Sequence, residues 1–205
     1  RELGISREQI IKNPKLLARN PKRIKRNHYL LTTKLGLTKD KISRAPTLLS
    51  RLHETIYENY VLLKAFGLTD KKIASQPQLL TRNYETLDRN HGLLKTLGLS
   101  DRAIALQSQL LGYKPETIKG NFQHHAAILE RYYGNAEYAT ACIKKHPELL
   151  GISIQTIEAN VVYLNSIGIA PRRACSYIVL LETKPQKKQD KIDWMLEILF
   201  PTFLE

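Results

Sequence analysis

The stretch GLTDKKIASQPQLLTRNYETLDRNHGLLKTLGL, residues 67–99, decides the fold because most of the chain can be laid over it. Anchored on Pro77, Leu79 and Leu80, it has Gly67 ten residues earlier and Leu87 ten later. Asn90 follows at thirteen, Leu93 and Leu94 at sixteen and seventeen. The block before it keeps these offsets with Gly36, Pro46, Leu48, Leu49, Ile56, Asn59, Leu62 and Leu63. The one before that keeps them with Gly4, Pro14, Leu16, Leu17, Ile24, Asn27, Leu30 and Leu31. Shared anchors in successive blocks mark a repeat protein with a unit of about 31 residues.

Each unit spells a short helix, a proline-started turn bearing Leu-Leu, and a longer helix closed by glycine. Thr38, Thr69 and Ser100 stand where an N-cap is needed, and Ser6 with Gln9 forms a capping box. Asp40, Asp70 and Asp101 follow near the first turn, where unpaired N–H groups favour negative charge. Pro14, Pro46, Pro77 and Pro147 stop one helix and start the next turn. Gly36, Gly67, Gly98 and Gly168 end units as C-cap glycines. Leu48, Leu49, Leu79 and Leu80 are core positions, since one unit alone leaves its aliphatic face wet and neighbours must stack.

The fold class is therefore all-α, a single helical-repeat domain over 1–205. Its repeats are drawn at 4–35, 36–66, 67–97, 98–133 and 134–167, with a partial unit at 168–185 and a capping helix at 187–200. Repeat four is looser, with Ser108 in place of the proline and Gly120 inside its long helix. Repeat five carries three extra residues between Gly134 and Pro147. No capping helix stands at the N-terminal edge, and upstream repeats are expected to be missing. Cys142 and Cys175 are read as buried thiols rather than as a disulfide framework or metal site. The recurring Asn27, Asn59, Asn90, Asn121 and Asn160 share a stripe with core aliphatics. Their amides are expected to bond backbone left free at the proline turns.

The chain carries a net +13, unevenly placed: residues 1–100 hold 20 Lys/Arg against 8 Asp/Glu, and residues 101–205 hold 12 against 11. Such asymmetry suits a chain that lays one end along a polyanion. Arg19, Arg51 and Arg82 occupy one place, five beyond the anchoring proline, with Tyr113 taking it in repeat four. Lys71, Arg102 and Arg172 form a second column, joined one place later by Lys41, Lys72 and Arg173. Arg26 and Arg89 precede the asparagine, and Lys22, Arg23 and Lys25 extend the arginine column into a track, with Arg44 nearby. Equivalent places of stacked repeats line up, so periodic basic residues can face evenly spaced phosphates. No aromatic ladder alternates with them, which weakens a single-strand reading.

No catalytic residue, metal ligand set or cofactor site is expected. The six histidines have no ligand spacing, and no phosphate-binding glycine loop or nucleophile elbow is present. His28 and His91 directly follow the repeat asparagine, which points to a repeated structural or phosphate-facing role. No apolar run approaches a membrane span.

The pattern LGLT…I…P.LL…I..N..LL..LGL resembles the mitochondrial transcription termination factor (mTERF) family over nearly the whole chain, most strongly across residues 36–99. The resemblance implies triangular units of two helices plus a short 3₁₀ turn, wound into a curved solenoid with a basic concave face. It implies double-stranded DNA as the partner, with structured or ribosomal RNA as the alternative, and a role in organellar transcription termination or regulation, or in ribosome assembly. Mitochondrion or chloroplast follows as the location. The chain is read as a monomer, and a competing reading is a protein-binding scaffold gripping a partner through the near-neutral C-terminal half.

Overall fold

The structure, a computed structural model, describes residues 6–167 together with 186, 187 and 190. The side chains of Gln9, Lys12 and Arg44 fall outside the description, as do Gly168, Arg172, Arg173, the partial sixth unit and most of the expected capping helix. Every regular element among the described residues is helical, which makes the chain all-α. None of these helices is long and apolar enough to cross a membrane. The chain divides into two compact units, 1–113 and 114–205, where the sequence pattern had suggested one domain. The division falls inside repeat four, just before its long helix.

The first unit contains α1 (Arg7–Lys12), α2 (Pro21–Tyr29), α3 (Lys39–Arg44), α4 (Thr47–Ser50), α5 (His53–Ala65), α6 (Asp70–Ser75), α7 (Tyr84–Thr96) and α8 (Asp101–Leu106). Between short and long helices run the 3₁₀ turns Pro14–Leu16, Pro77–Thr81 and Ser108–Gly112, with α4 filling that place in repeat two. The capping logic of the sequence is realised. Thr38, Thr69 and Ser100 side chains accept from the N–H groups of Lys41, Lys72 and Ala103. Gly36, Gly67 and Gly98 close the long helices at φ of 58°, 83° and 87°, in the left-handed region that side chains disfavour.

One departure has a cause in the spacing. Leu31 to Gly36 is five residues, whereas Leu63 to Gly67 and Leu94 to Gly98 are four. The extra residue widens the end of the first long helix into a π-helical segment, Leu30–Lys34, through which Leu30 and Leu31 both stay buried.

The second unit contains α9 (Pro115–Tyr133), α10 (Ala136–Lys145), the 3₁₀ turn Pro147–Gly151 and α11 (Ile154–Ser166). Its irregular spacing is taken up as helix length. α9 runs 19 residues to Gly134 at φ 68°, and α10 runs 10 where the short helices of the first unit run 6. Cys142, buried on α10, is disulfide-bonded, which corrects the expectation of a buried thiol; Cys175 lies outside the described residues. Neither cysteine belongs to a local motif, which is why the sequence reading took them as thiols.

The repeats are joined by their asparagines. Asn27 Nδ2 donates to the carbonyls of Leu48, Leu49 and Arg51 at 3.2, 3.2 and 2.8 Å. Asn59 donates to Leu80 and Arg82 at 3.1 and 2.8 Å, and Asn90 to Leu111 and Tyr113 at 2.9 and 2.7 Å. In the second unit Asn121 donates to Leu150 at 2.8 Å. The acceptors are the proline-turn carbonyls, as the residue pattern suggested, but each turn belongs to the following repeat rather than to the asparagine's own. The long helix of one repeat thus packs over the Leu-Leu turn of the next, in which Leu48, Leu49, Leu79 and Leu80 are at most 1% exposed.

Candidate nucleic-acid interface

The same joint fixes the arginine column. The carbonyls held by Asn27 and Asn59 are those of Arg51 and Arg82, so each arginine's backbone is tied to the preceding long helix. The turns of the first unit also pack on one another in chain order, from Pro14–Leu16 through α4 and Pro77–Thr81 to Ser108–Gly112. Arg19, Arg51 and Arg82 are exposed at successive levels of that stack. No carboxylate lies within ion-pair distance of any of the three among the described residues. The Arg82 guanidinium passes over Gly112, where an added Cβ would stand 3.4 Å from its Nε.

The acids near the opposite ends of the long helices are already engaged. Asp70 sits 3.2 Å from Lys64 and accepts from the Tyr60 hydroxyl at 3.0 Å. Asp101 sits 3.0 Å from Lys95 and 3.4 Å from His91 Nε2. Lys64 and Tyr60 hold the Asp70 carboxyl below its ordinary range, and Lys95 does the same for Asp101. Burial, with Asp70 beside it, raises the Tyr60 phenol. His91 also lies flat on Phe66, with ring centroids 3.9 Å apart and 1° between planes. Of the two roles the sequence left to His91, this geometry serves the structural one.

Of the fifteen basic residues singled out in the sequence, the twelve whose side chains are described do not form one patch. Lys41, Lys71 and Arg102 are exposed on the short helices, and Lys72 donates its ammonium to the Leu106 carbonyl. These residues lie where a long helix ends, whereas the arginine column lies where one begins. A helix of 13 residues separates the two columns by about 20 Å. Lys22, Lys25 and Arg26 are exposed on α2, and Arg23 is half-buried. The equivalent exposed places are Glu54, Tyr57 and Glu58 on α5, and Glu85, Asp88 and Arg89 on α7. The helix-face cluster therefore belongs to the first repeat alone, and only the turn column continues upward. Residues 6–35 hold nine Lys/Arg against one acid; residues 36–66 and 67–97 each hold five against three.

Two histidines escaped the sequence reading. His53 Nδ1 donates to Asn27 Oδ1 at 3.0 Å, the tautomer being set because the amide nitrogen is already donating elsewhere. Asn59 and Asn90 have no such partner on Oδ1 among the described residues. His125, on α9, is fully buried with both ring nitrogens unpartnered among the described residues. Burial, with a smaller contribution from His124, takes its pKa from 6.5 down to about 4. No cluster of three or more His, Cys, Asp or Glu able to hold a metal exists among the described residues. Comparison with protein-family models and with curated proteins gives no match.

Proposed function

We propose that the chain is a nucleic-acid-binding α-solenoid that grips double-stranded DNA through a basic concave face and acts in transcription termination or regulation, without catalysis of its own. The observation that carries this reading is the column of Arg19, Arg51 and Arg82. They are exposed and free of acidic partners among the described residues, and the backbones of Arg51 and Arg82 are held by the asparagine joints. Such a column suits phosphates, which supply position and affinity but no sequence readout. The basic face of α2 continues it at one end, while Glu54, Glu58, Glu85 and Asp88 repel a polyanion from the outer faces of α5 and α7. The mTERF resemblance supplies the preference for DNA and an organellar location; structured RNA is the alternative the same chemistry accommodates.

The test is a fluorescence-anisotropy titration against duplex DNA, duplex RNA and single strands at several salt concentrations, for the parent and for the Arg19, Arg51, Arg82 triple alanine variant. The parent is expected to bind duplex DNA most tightly, with affinity falling steeply with salt. Losing three phosphate contacts makes that slope shallower by about 3 on a log–log plot. An unchanged slope and affinity in the variant overturns the arginine column as the interface. Tighter binding to duplex RNA transfers the reading to RNA.

A further inference from the structure

The outer stripes of α2 and α5 are complementary, place by place. Around Asn27, Lys22, Lys25 and Arg26 stand five, two and one residues before the asparagine, and Tyr29 stands two after it. Glu54, Tyr57, Glu58 and Val61 hold the same four places around Asn59. The spacing i, i+3, i+4, i+7 puts each set on one side of its helix, and all eight side chains are exposed. Tyr29, Tyr57 and Val61 are 64%, 52% and 49% exposed, which leaves apolar surface in water on two adjacent helices. Lys22, Lys25, Arg26, Glu54 and Glu58 have no ion-pair partner among the described residues, although α2 and α5 are neighbours with opposite charges at equivalent heights. On α7 the same places hold Glu85, Asp88, Arg89 and Gly92, which mix both signs and lack the apolar residue. The face lies along the side of the stacked repeats, not across an end of the stack.

We propose that this face binds a second copy of the chain, related by a twofold axis parallel to the helices and midway between α2 and α5. The rotation exchanges the two helices, so α2 of each copy lies on α5 of the other. Their directions stay parallel, which keeps the heights matched. Lys22 then meets Glu54 and Arg26 meets Glu58, while the Lys25 ammonium lies over the Tyr57 ring and Tyr29 packs on Val61. Each contact is made twice, as a self-complementary twofold interface requires. Charge complementarity selects this arrangement, because α2 on α2 or α5 on α5 would set like charges against each other. The expected monomer thus gives way to a pair, in which a duplex and a second copy compete for the basic face of α2. Parallel helices also bring the Arg19, Arg51 and Arg82 columns of both copies to the same end of the pair.

The test is sedimentation equilibrium of the whole chain without nucleic acid, at low and high salt. Two helices a side make a small interface, so a Kd on the order of 10 µM is expected at low salt, weakening as salt screens the pairs. One variant carries Glu54→Lys and Glu58→Lys, and a second carries Lys22→Glu and Arg26→Glu. All four places are exposed, so the fold is retained. Each variant alone is expected to weaken the dimer by about tenfold or more, because like charges then oppose. An equimolar mixture of the two is expected to recover it as a mixed pair, in which the charges at all four reversed places again meet opposites. A parent still monomeric at about 500 µM overturns the proposal. So does a dimer that either double reversal leaves intact, or one that both reversals break and the mixture does not restore. Since no nucleic acid is present, the outcome is separate from that of the arginine-column titration.

Discussion

Residues 36–97 and residues 114–167 apply one rule with different tolerance. The first stretch keeps strict offsets, six-residue short helices and thirteen-residue long ones. The second has a long helix of 19 residues and a short one of 10. In both, an asparagine of one long helix meets a carbonyl of the next Leu-Leu turn, at Leu80 and at Leu150. Helix length is therefore free to vary, and the joint is what stays constant. Extra turns lie along a helix axis and cost little, while a displaced joint leaves buried carbonyls without donors.

The largest effect separates joint from length. Leu80→Ala and Leu150→Ala, one in each stretch and both fully buried, are each expected to cost about 2–5 kcal/mol in chemical denaturation. A loss under about 0.5 kcal/mol at Leu150 belongs to an exposed site and breaks the equivalence of the two joints.

His125 marks a difference between the stretches, because it is the buried polar side chain of α9 that no joint explains. Its imidazole stays neutral in the folded state down to about 4, against an ordinary 6.5. The unfolded chain takes up the proton first, so stability falls as the pH drops from 6.5 toward 4 and levels off below. The difference amounts to about 3 kcal/mol across that window. His125→Leu is expected to flatten this dependence between pH 7 and pH 4.5 and to stabilise the protein at the lower value. An equal decline in parent and variant assigns the acid sensitivity to other groups.

The joints themselves differ in strength. Asn90→Ala strands two buried-side acceptors, Leu111 and Tyr113, and is expected to cost about 2 kcal/mol. Asn121, half-buried and bonded to Leu150, is expected to cost about 1 kcal/mol. Equal losses at the two sites remove the distinction between the strict and the tolerant stretch.

Glycine, proline and asparagine columns were legible because each reports a backbone requirement: a left-handed cap, a helix stop, a donor for free carbonyls. That the amides cross to the following repeat was not, since sequence offsets do not say which turn lies under which helix. The widened end of α2 was present in the spacing as one surplus residue between Leu31 and Gly36. The basic residues were grouped by repeat position, which lined up Arg19, Arg51 and Arg82 but joined Lys22 and Lys25 to them. Comparing whole helix faces separates the two, because Glu54 and Glu85 hold the place of Lys22, and Tyr57 and Asp88 that of Lys25. The buried His125 had no periodic signature to find, whereas Cys142 and Cys175 stand thirty-three apart in equivalent halves of two repeats and were read as thiols all the same.

The smallest effect sets one glycine of each unit against the other. Gly120 lies inside α9, and an added Cβ there meets nothing within 4 Å. Gly120→Ala removes backbone freedom from the unfolded chain at no steric cost, and is expected to stabilise the protein by about 1 kcal/mol. Gly112 ends the 3₁₀ turn Ser108–Gly112, where the same Cβ would stand 3.2 Å from Leu79 Cδ2 and 3.4 Å from Arg82 Nε. Gly112→Ala presses on a core leucine as well as on the arginine of the proposed interface. It is expected to give no gain in stability and to weaken duplex binding by displacing Arg82. Thermal denaturation of both variants, paired with the anisotropy titration, checks this. A Gly112→Ala protein as stable as Gly120→Ala, with parental affinity, means that Arg82 swings clear without loss and that its seat over Gly112 plays no part in binding.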